Sequence, residues 1–278
     1  MVTDKEKVIS GLEKKARLMR ISILKMLTNS GSGHTGGSLS VVELLVSLYF
    51  YKMRHNPADP KWEDRDRFVL SKGHAAPALY SVLALSGYFP VEELMNLRKL
   101  GSILRGHPSS VVTPGVEVPT GSLGQGLSMA GGMAIAGKLD KKNTRVYAII
   151  GDGECQEGQI WESAMSSSHY KLDNLCVMVD RNGFQIDGPI GKIMEVEPFA
   201  QKWKAFGWEV FEVDGHNLGE ITNALDSAEN VKGRPSIIIA KTIKGKGVSF
   251  IENVNKFHGT TPTEEELEKA LKEIGTDE

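Results

Sequence analysis

Asp152 stands between two glycines directly after an apolar run, residues 146–150, and Asn182 follows a second apolar run, residues 175–179. Between Gly153 and Asn182 lie 28 residues, and residues 157–172 have helical spacing, with Ile160, Ala164, Met165 and Ser168 on one side. Residues 145–188 therefore read as a β-α-β unit. Its two strands run parallel, so their carboxyl ends open on the same sheet edge, where α/β proteins bind ligands. One carboxylate and one amide oxygen then converge on one cleft. Hard oxygen donors beside a helix N-terminus suit a Mg²⁺ or Ca²⁺ that holds a diphosphate. Gly-Asp-Gly alone is also a plain turn. The strand before it, the helix after it and the strand ending at Asn182 set it apart.

Four of the seven histidines also sit in glycine-containing turns: Gly33-His34, Gly73-His74, Gly106-His107 and His258-Gly259. Loops of this kind gather on one face while their elements stay apart. Imidazoles suit phosphate contacts, hydroxyl recognition and proton transfer near neutral pH. No His-x₂₋₄-His or Cys-x-x-Cys spacing supports zinc.

The elements that must position these residues follow from periodicity and punctuation. Residues 5–30 and 41–51 are expected to be helical, with Ser40 as N-cap and Glu43 completing a capping box. Residues 31–38 are too glycine-rich for either element. A short strand, 67–70, leads to Ser71-Lys72-Gly73-His74 and a helix at 75–85; residues 100–120 are irregular. A small-residue helix, 122–138, precedes the central unit. Strands at 207–213 and 236–241 flank a helix at 218–229. A closing helix starts from Thr261-Pro262-Thr263-Glu264, read as a capping box with Pro at the first helical position, and stops at Gly275. That finished element is read as a natural terminus.

The pattern specifies an α/β fold: a mostly parallel sheet with helices on both faces. At 278 residues, one large domain covering 1–278 is expected. A net charge of −2 offers no basic field for nucleic acid, and no run of 18 apolar residues calls for a membrane. The N-terminal segment reads as an amphipathic helix rather than a signal peptide. Cys155 and Cys176 are the only cysteines; lone thiols fit a reducing, cytoplasmic setting.

The chain closely resembles the N-terminal, thiamine diphosphate-binding part of transketolase. The resemblance rests on Asn29-Ser30-Gly31-Ser32-Gly33-His34, on residues 66–74 from Asp66 to His74, and on Gly106-His107-Pro108. Pro114-Gly115-Val116-Glu117, Gly121-Ser122-Leu123-Gly124-Gln125-Gly126, Gly151-Asp152-Gly153, Asn182 and His258-Gly259 complete it. It implies the diphosphate-binding type of thiamine diphosphate fold. Asp152, the side-chain oxygen of Asn182 and the backbone carbonyl of Phe184 look like ligands of Mg²⁺ or Ca²⁺. His74, Gly153 and His258 resemble diphosphate contacts. Gly121, Ser122 and Leu123 match the loop along the aminopyrimidine, and Ile186 matches an apolar wedge under the thiazolium. Many relatives carry proline at Ser122. His34, His107 and His258 match the histidines that bind the donor sugar and assist proton transfer. Glu157 and Glu162 match acidic residues buried near the subunit contact.

Thiamine diphosphate chemistry also needs a glutamate at the pyrimidine ring, which in transketolases lies in a second, pyrimidine-binding domain. Nothing here corresponds to it. The resemblance therefore implies the N-terminal subunit of a split, pentose-phosphate type transketolase acting on sugar phosphates, inactive without a separate C-terminal subunit. Two copies of the chain are expected to pair and bind two partners as a heterotetramer. Helix residues Ile160, Trp161 and Met165 and the small residues of 128–137 are the expected contact. Alternatives are a deoxyxylulose-phosphate synthase-like or 2-oxo-acid dehydrogenase alpha-like subunit, or a non-catalytic thiamine diphosphate-binding module. His34, His74 and His107 with Leu-Gly-Gln-Gly favour transketolase.

Overall fold

The computed structural model describes residues 4–275. Five strands form one parallel sheet: β1 (Arg67–Leu70), β2 (Val146–Gly151), β3 (Leu175–Arg181), β6 (Glu209–Asp214) and β7 (Ser236–Lys241), in the order β1-β2-β3-β7-β6. Register is set by pairs such as Leu70 with Ile149, Gly151 with Asp180 and Arg181 with Lys241. The loops after β1, β2, β3 and β7 consequently emerge side by side.

Side chains alternate across the sheet, so each strand feeds two cores. Tyr147, Ile149, Cys176, Met178 and Ile238 face one side. There they pack with α1 (Asp4–Ser30), α3 (Val42–Ser47), α4 (Ala76–Ser86) and α9 (Leu218–Asn230). Val146, Ala148, Ile150, Val177 and Ile239 face the other, against α5 (Gln125–Leu139), α6 (Gly158–His169) and α8 (Phe199–Ala205). Helices thus cover both faces, as expected. A two-residue hairpin, β4 (Phe184–Gln185) with β5 (Gly188–Pro189), runs into the short α7 (Ile190–Ile193). The chain's last described helix is α10 (Glu264–Ile274).

Several local expectations need correction. The glycine-rich 31–38 segment is not wholly irregular, because Thr35–Leu39 forms a short helix, α2. Its glycines serve close approach: a Cβ on Gly36 would lie 3.0 Å from Lys244 Cγ, and one on Gly37 3.2 Å from His74 Nε2. Ser40 is not an N-cap but closes α2 as its C-cap; its hydroxyl donates to Asp180 at 2.7 Å, and α3 starts after Val41 without a side-chain cap. Glu43 is drawn to Arg20 and His216 instead. The 41–51 segment changes to a π-helical turn at Leu48–Lys52. The closing capping box is shifted two residues, with Thr263 as N-cap and Glu266 as its partner, and Pro262 precedes the helix. On α6, Ile160 and Ala164 are buried with Ser163 and Ser167, whereas Met165 is 60% exposed. Residues 1–3 and 276–278 of the expected domain and terminal segments lie outside the described residues.

Candidate active site

The loops after four of the five strands contribute to one cavity of about 320 Å³. His74 arrives after β1, Asp152 and Gly153 after β2, Asn182 and Phe184 after β3, and Lys244 after β7. His34 enters as the residue before α2, His107 and Gly121 from the irregular segment, and His258 from a 3₁₀ turn at Asn255–His258. Leu123 and Ile186 also line it. Every expected site residue except Ser122 is a wall of this one space; Ser122 is exposed between two lining neighbours. Gly73 and Gly121 let the walls close: a Cβ on Gly73 would stand 2.7 Å from the Gly121 nitrogen, and one on Gly121 2.7 Å from the His107 ring.

The four imidazoles form a cluster. His34 lies 5.2 Å from His74, 5.8 Å from His258 and 6.4 Å from His107 between ring centroids, and His74 stacks on His258 at 5.5 Å. Burial, then neighbouring cationic groups, push His34 and His258 down to about 4. Burial holds His74 well below the usual histidine range and lowers His107 too. All four are therefore neutral near pH 7, able to donate at one nitrogen and accept at the other. Lys244 Nζ donates to His258 Nδ1 at 2.7 Å, which leaves the proton of that ring on Nε2.

Beneath the rings lies a carboxylate pair. Asp180 is wholly buried and bonded by Lys72, Thr242, Ser40 and Asn182. Burial alone would raise it, but the Lys72 ammonium and these donors hold it below the usual carboxylate range. Asp152 accepts the backbone N–H of Gly153 at 2.9 Å and of Gly183 at 2.6 Å. Burial, followed by the like charge of Asp180, raises it to about 7. A buried acid strained in this way is relieved by a cation. Among the described residues no three His, Cys, Asp or Glu side chains gather into a metal-holding group. The residues that could hold a cation are a mixed set: the Asp152 carboxylate, the Asn182 amide oxygen and a backbone carbonyl. Those donors are hard oxygens and fit Mg²⁺ or Ca²⁺.

Four buried residues of the site were not singled out from sequence: Lys72, Glu154, Asp180 and Lys244. Glu154 accepts from Ser71, from the Gly124 nitrogen at 2.8 Å and from the Gly151 nitrogen at 3.0 Å, so it ties three cavity loops together. Lys244 meets no carboxylate within ion-pair distance among the described residues, and burial lowers it to about 8. Its signal was present in the sequence: Thr242-Ile243-Lys244-Gly245 repeats the strand-then-glycine-loop pattern of the other walls. Cys155 is buried beneath the Gly-Asp-Gly turn, its thiol donating to the Gly151 carbonyl at 3.3 Å. Glu157 and Glu162 are exposed on this chain.

A family model described as "Transketolase, thiamine diphosphate binding domain" matches residues 12–278. The chain belongs to the transketolase family. Transketolases are transferases that use thiamine diphosphate. The chain is 47% identical over 263 residues to the 6-deoxy-6-sulfo-D-fructose transketolase subunit SqwG of Clostridium sp. (strain MSTE9), covering 95% of this chain and 96% of that one. It is 42% identical over 266 residues to an apulose-4-phosphate transketolase subunit of Phocaeicola vulgatus, covering 96% and 94%. Campylobacter jejuni transketolase superposes with a TM-score of 0.90 at 37% identity; the match covers 96% of this chain but 43% of that one. The chain thus spans less than half of that solved transketolase and nearly all of relatives named as subunits.

Proposed function

We propose that this chain is the N-terminal subunit of a split transketolase, moving a two-carbon ketol unit from a ketose phosphate to an aldose phosphate with a separate C-terminal, pyrimidine-binding subunit. The observation that carries this is the convergence of His34, His74, His107 and His258 over Asp152 and Asn182 in a chain of subunit length. A plain cofactor carrier has no use for neutral imidazoles aimed at substrate hydroxyls. The deoxyxylulose-phosphate synthase and 2-oxo-acid dehydrogenase alternatives are not favoured beside the family match.

Thiamine diphosphate, when bound, supplies the electron sink for the transferred unit. The chain's own residues would supply the diphosphate half of the site. Asp152, Asn182 Oδ1 and the Phe184 carbonyl hold Mg²⁺ or Ca²⁺. His74, Gly153 and His258 meet the diphosphate, with the Lys244 charge beside them. Gly121, Ser122 and Leu123 border the pyrimidine, and Ile186, 63% exposed, offers an apolar surface for the thiazolium. His34, His107 and His258 bind sugar hydroxyls and pass protons, with His258 donating from Nε2. We also assign residues 1–278 to one domain and the protein to the cytoplasm. Among the described residues no helix is long and apolar enough to cross a membrane.

Reconstitution tests this. The chain, mixed with a pyrimidine-domain subunit, thiamine diphosphate and Mg²⁺, should transfer ketol units from at least one ketose in a panel. That panel should include xylulose 5-phosphate and the sugars named for the relatives, 6-deoxy-6-sulfo-D-fructose and apulose 4-phosphate. The chain alone should not. Transfer by the unaided chain, or none with any partner subunit, would overturn the assignment.

A further inference from the structure

Behind the loop at 242–247, on the side away from the cavity, lies a polar triad that the chemistry above does not use. Arg20 of α1 donates from Nη2 to Glu43 Oε1 of α3 at 2.5 Å. The other Glu43 oxygen lies 3.1 Å from His216 Nδ1, in the turn after β6. Arg20 and Glu43 are each under a tenth exposed, and the triad forms one wall of an open cleft of about 690 Å³.

Both ends of the triad finish on the backbone of the same loop. His216 Nε2 accepts the Ile243 N–H at 2.8 Å, which obliges Nδ1 to carry the proton donated to Glu43. Arg20 Nε donates to the Lys246 carbonyl at 3.0 Å. Gly247, at φ +97°, lies so close that a Cβ there would stand 2.8 Å from Arg20 Nε. Between these two grips the Gly245 N–H donates to the Gly36 carbonyl at 3.0 Å. The backbone is thus held at 243, 245 and 246, on both sides of Lys244, whose side chain reaches forward to His258. Burying an ion pair gains little stability over a well-packed apolar core, because desolvation offsets the attraction. What the triad supplies that an apolar cluster could not is one fixed acceptor and one fixed donor for this loop.

We infer that Arg20, Glu43 and His216 are positioning residues for Lys244, clamping its loop so that the ammonium stays against His258 and over the diphosphate end of the cavity. The role rests on the thiamine diphosphate assignment of that cavity. It implies that damage to the triad reaches cofactor binding through Lys244.

A double-mutant cycle separates this from a general structural role. In the reconstituted enzyme, His216→Ala should weaken thiamine diphosphate–Mg²⁺ binding, measured by calorimetry, about tenfold, the worth of one positioned hydrogen bond. In a Lys244→Ala background the same change should cost less than about twofold. Glu43→Gln serves in the same cycle if His216→Ala does not fold. Hydrogen exchange on the full chain without cofactor gives an independent readout. The amides of Ile243 and Gly245 should exchange about tenfold faster in Glu43→Gln while those of β7 keep their protection. Costs that multiply in the double variant, or unchanged exchange at Ile243 and Gly245, would overturn the clamp. Absence of thiamine diphosphate binding by the wild-type enzyme would instead overturn the cofactor assignment, and Lys244's part with it, whatever the exchange shows.

Discussion

Asp152 is where charge decides the most. Replacing it with Asn keeps an acceptor for one of the Gly153 and Gly183 amides, which bond different carboxylate oxygens, and removes the anion. Thiamine diphosphate–Mg²⁺ affinity of the assembled enzyme should fall about a hundredfold, the upper end of what supporting residues cost metal sites. Because Asp152 is raised to about 7, the cation must displace a proton below that pH. Wild-type affinity should then drop about tenfold per unit as pH falls below 7. Asp152→Asn should lack that component of the slope, and calorimetry across pH 5–8 checks both. The imidazoles shift the other way. His34 and His258, lowered to about 4, bind fewer protons folded than unfolded between pH 6.5 and 4. Their contribution to stability is therefore full above pH 6.5 and lost as pH falls through 4. Nitrogen-resolved NMR should find both rings neutral at pH 6, and a ring titrating near 6.5 would contradict the burial. Alanine at His34, His107 or His258 should cost about 10²–10⁴-fold in ketol transfer. Asp152 and Asn182 were legible from sequence because strand, turn and spacing are local rules. Lys72 and Asp180 were not, since their pairing joins residues 108 apart in the chain.

Elements meet at this site through glycines, and Gly73 is one of the joints closed against backbone. A methyl there would press within 2.7 Å of the Thr120 carbonyl carbon and the Gly121 nitrogen, backbone that cannot rotate away. Gly73→Ala should therefore cost about 1–3 kcal/mol by overpacking. It should also displace the Gly121–Leu123 wall, so that thiamine diphosphate binding weakens along with the thermal midpoint. Calorimetry together with thermal denaturation measures both, and a variant matching wild type in each would sink the role. Strands and long helices were readable because their apolar periods are strong. The misses around α2 and α3 share one cause, tertiary partners overriding local motifs. Ser40 with Glu43 has capping-box spacing, yet Asp180, 140 residues away, takes the serine hydroxyl. Arg20 and His216 take the glutamate. The 31–38 segment looked like loop by composition, but its glycines are there to bring α2 against Lys244 and His74.

For the whole molecule, the outward side of the site decides assembly. Ala130, Gly131 and Ala134 of α5 pack inward and are not available to a second chain, while Trp161 rests on Trp203, Phe199 and Phe206 and is only partly buried. Met129, Gly132 and Met165 do face outward, beside the exposed Glu157 and Glu162. A two-fold pair of chains through this face, completed by two partner subunits, is the arrangement we expect. Light scattering should report a dimer for the purified chain and a heterotetramer with its partner. Met165→Lys should shift the dimer toward monomer, and an unchanged dimer would move the interface elsewhere.

The thiol under the Gly-Asp-Gly turn makes the protein carry its own clock. Cys155 is buried, and burial raises its pKa well above the ordinary range; Cys176, in the sheet, is pushed up to about 12. Neither can react with an alkylating reagent until the backbone around it opens. The rate of Cys155 labelling therefore counts excursions of the cofactor-edge turn, and Cys176 labelling counts openings of the sheet beneath. Thiamine diphosphate with Mg²⁺ should slow the first at least about tenfold and leave the second less affected, since a ligand suppresses the openings that break its site. Mass spectrometry of labelled peptides, followed over time, would tell the two apart.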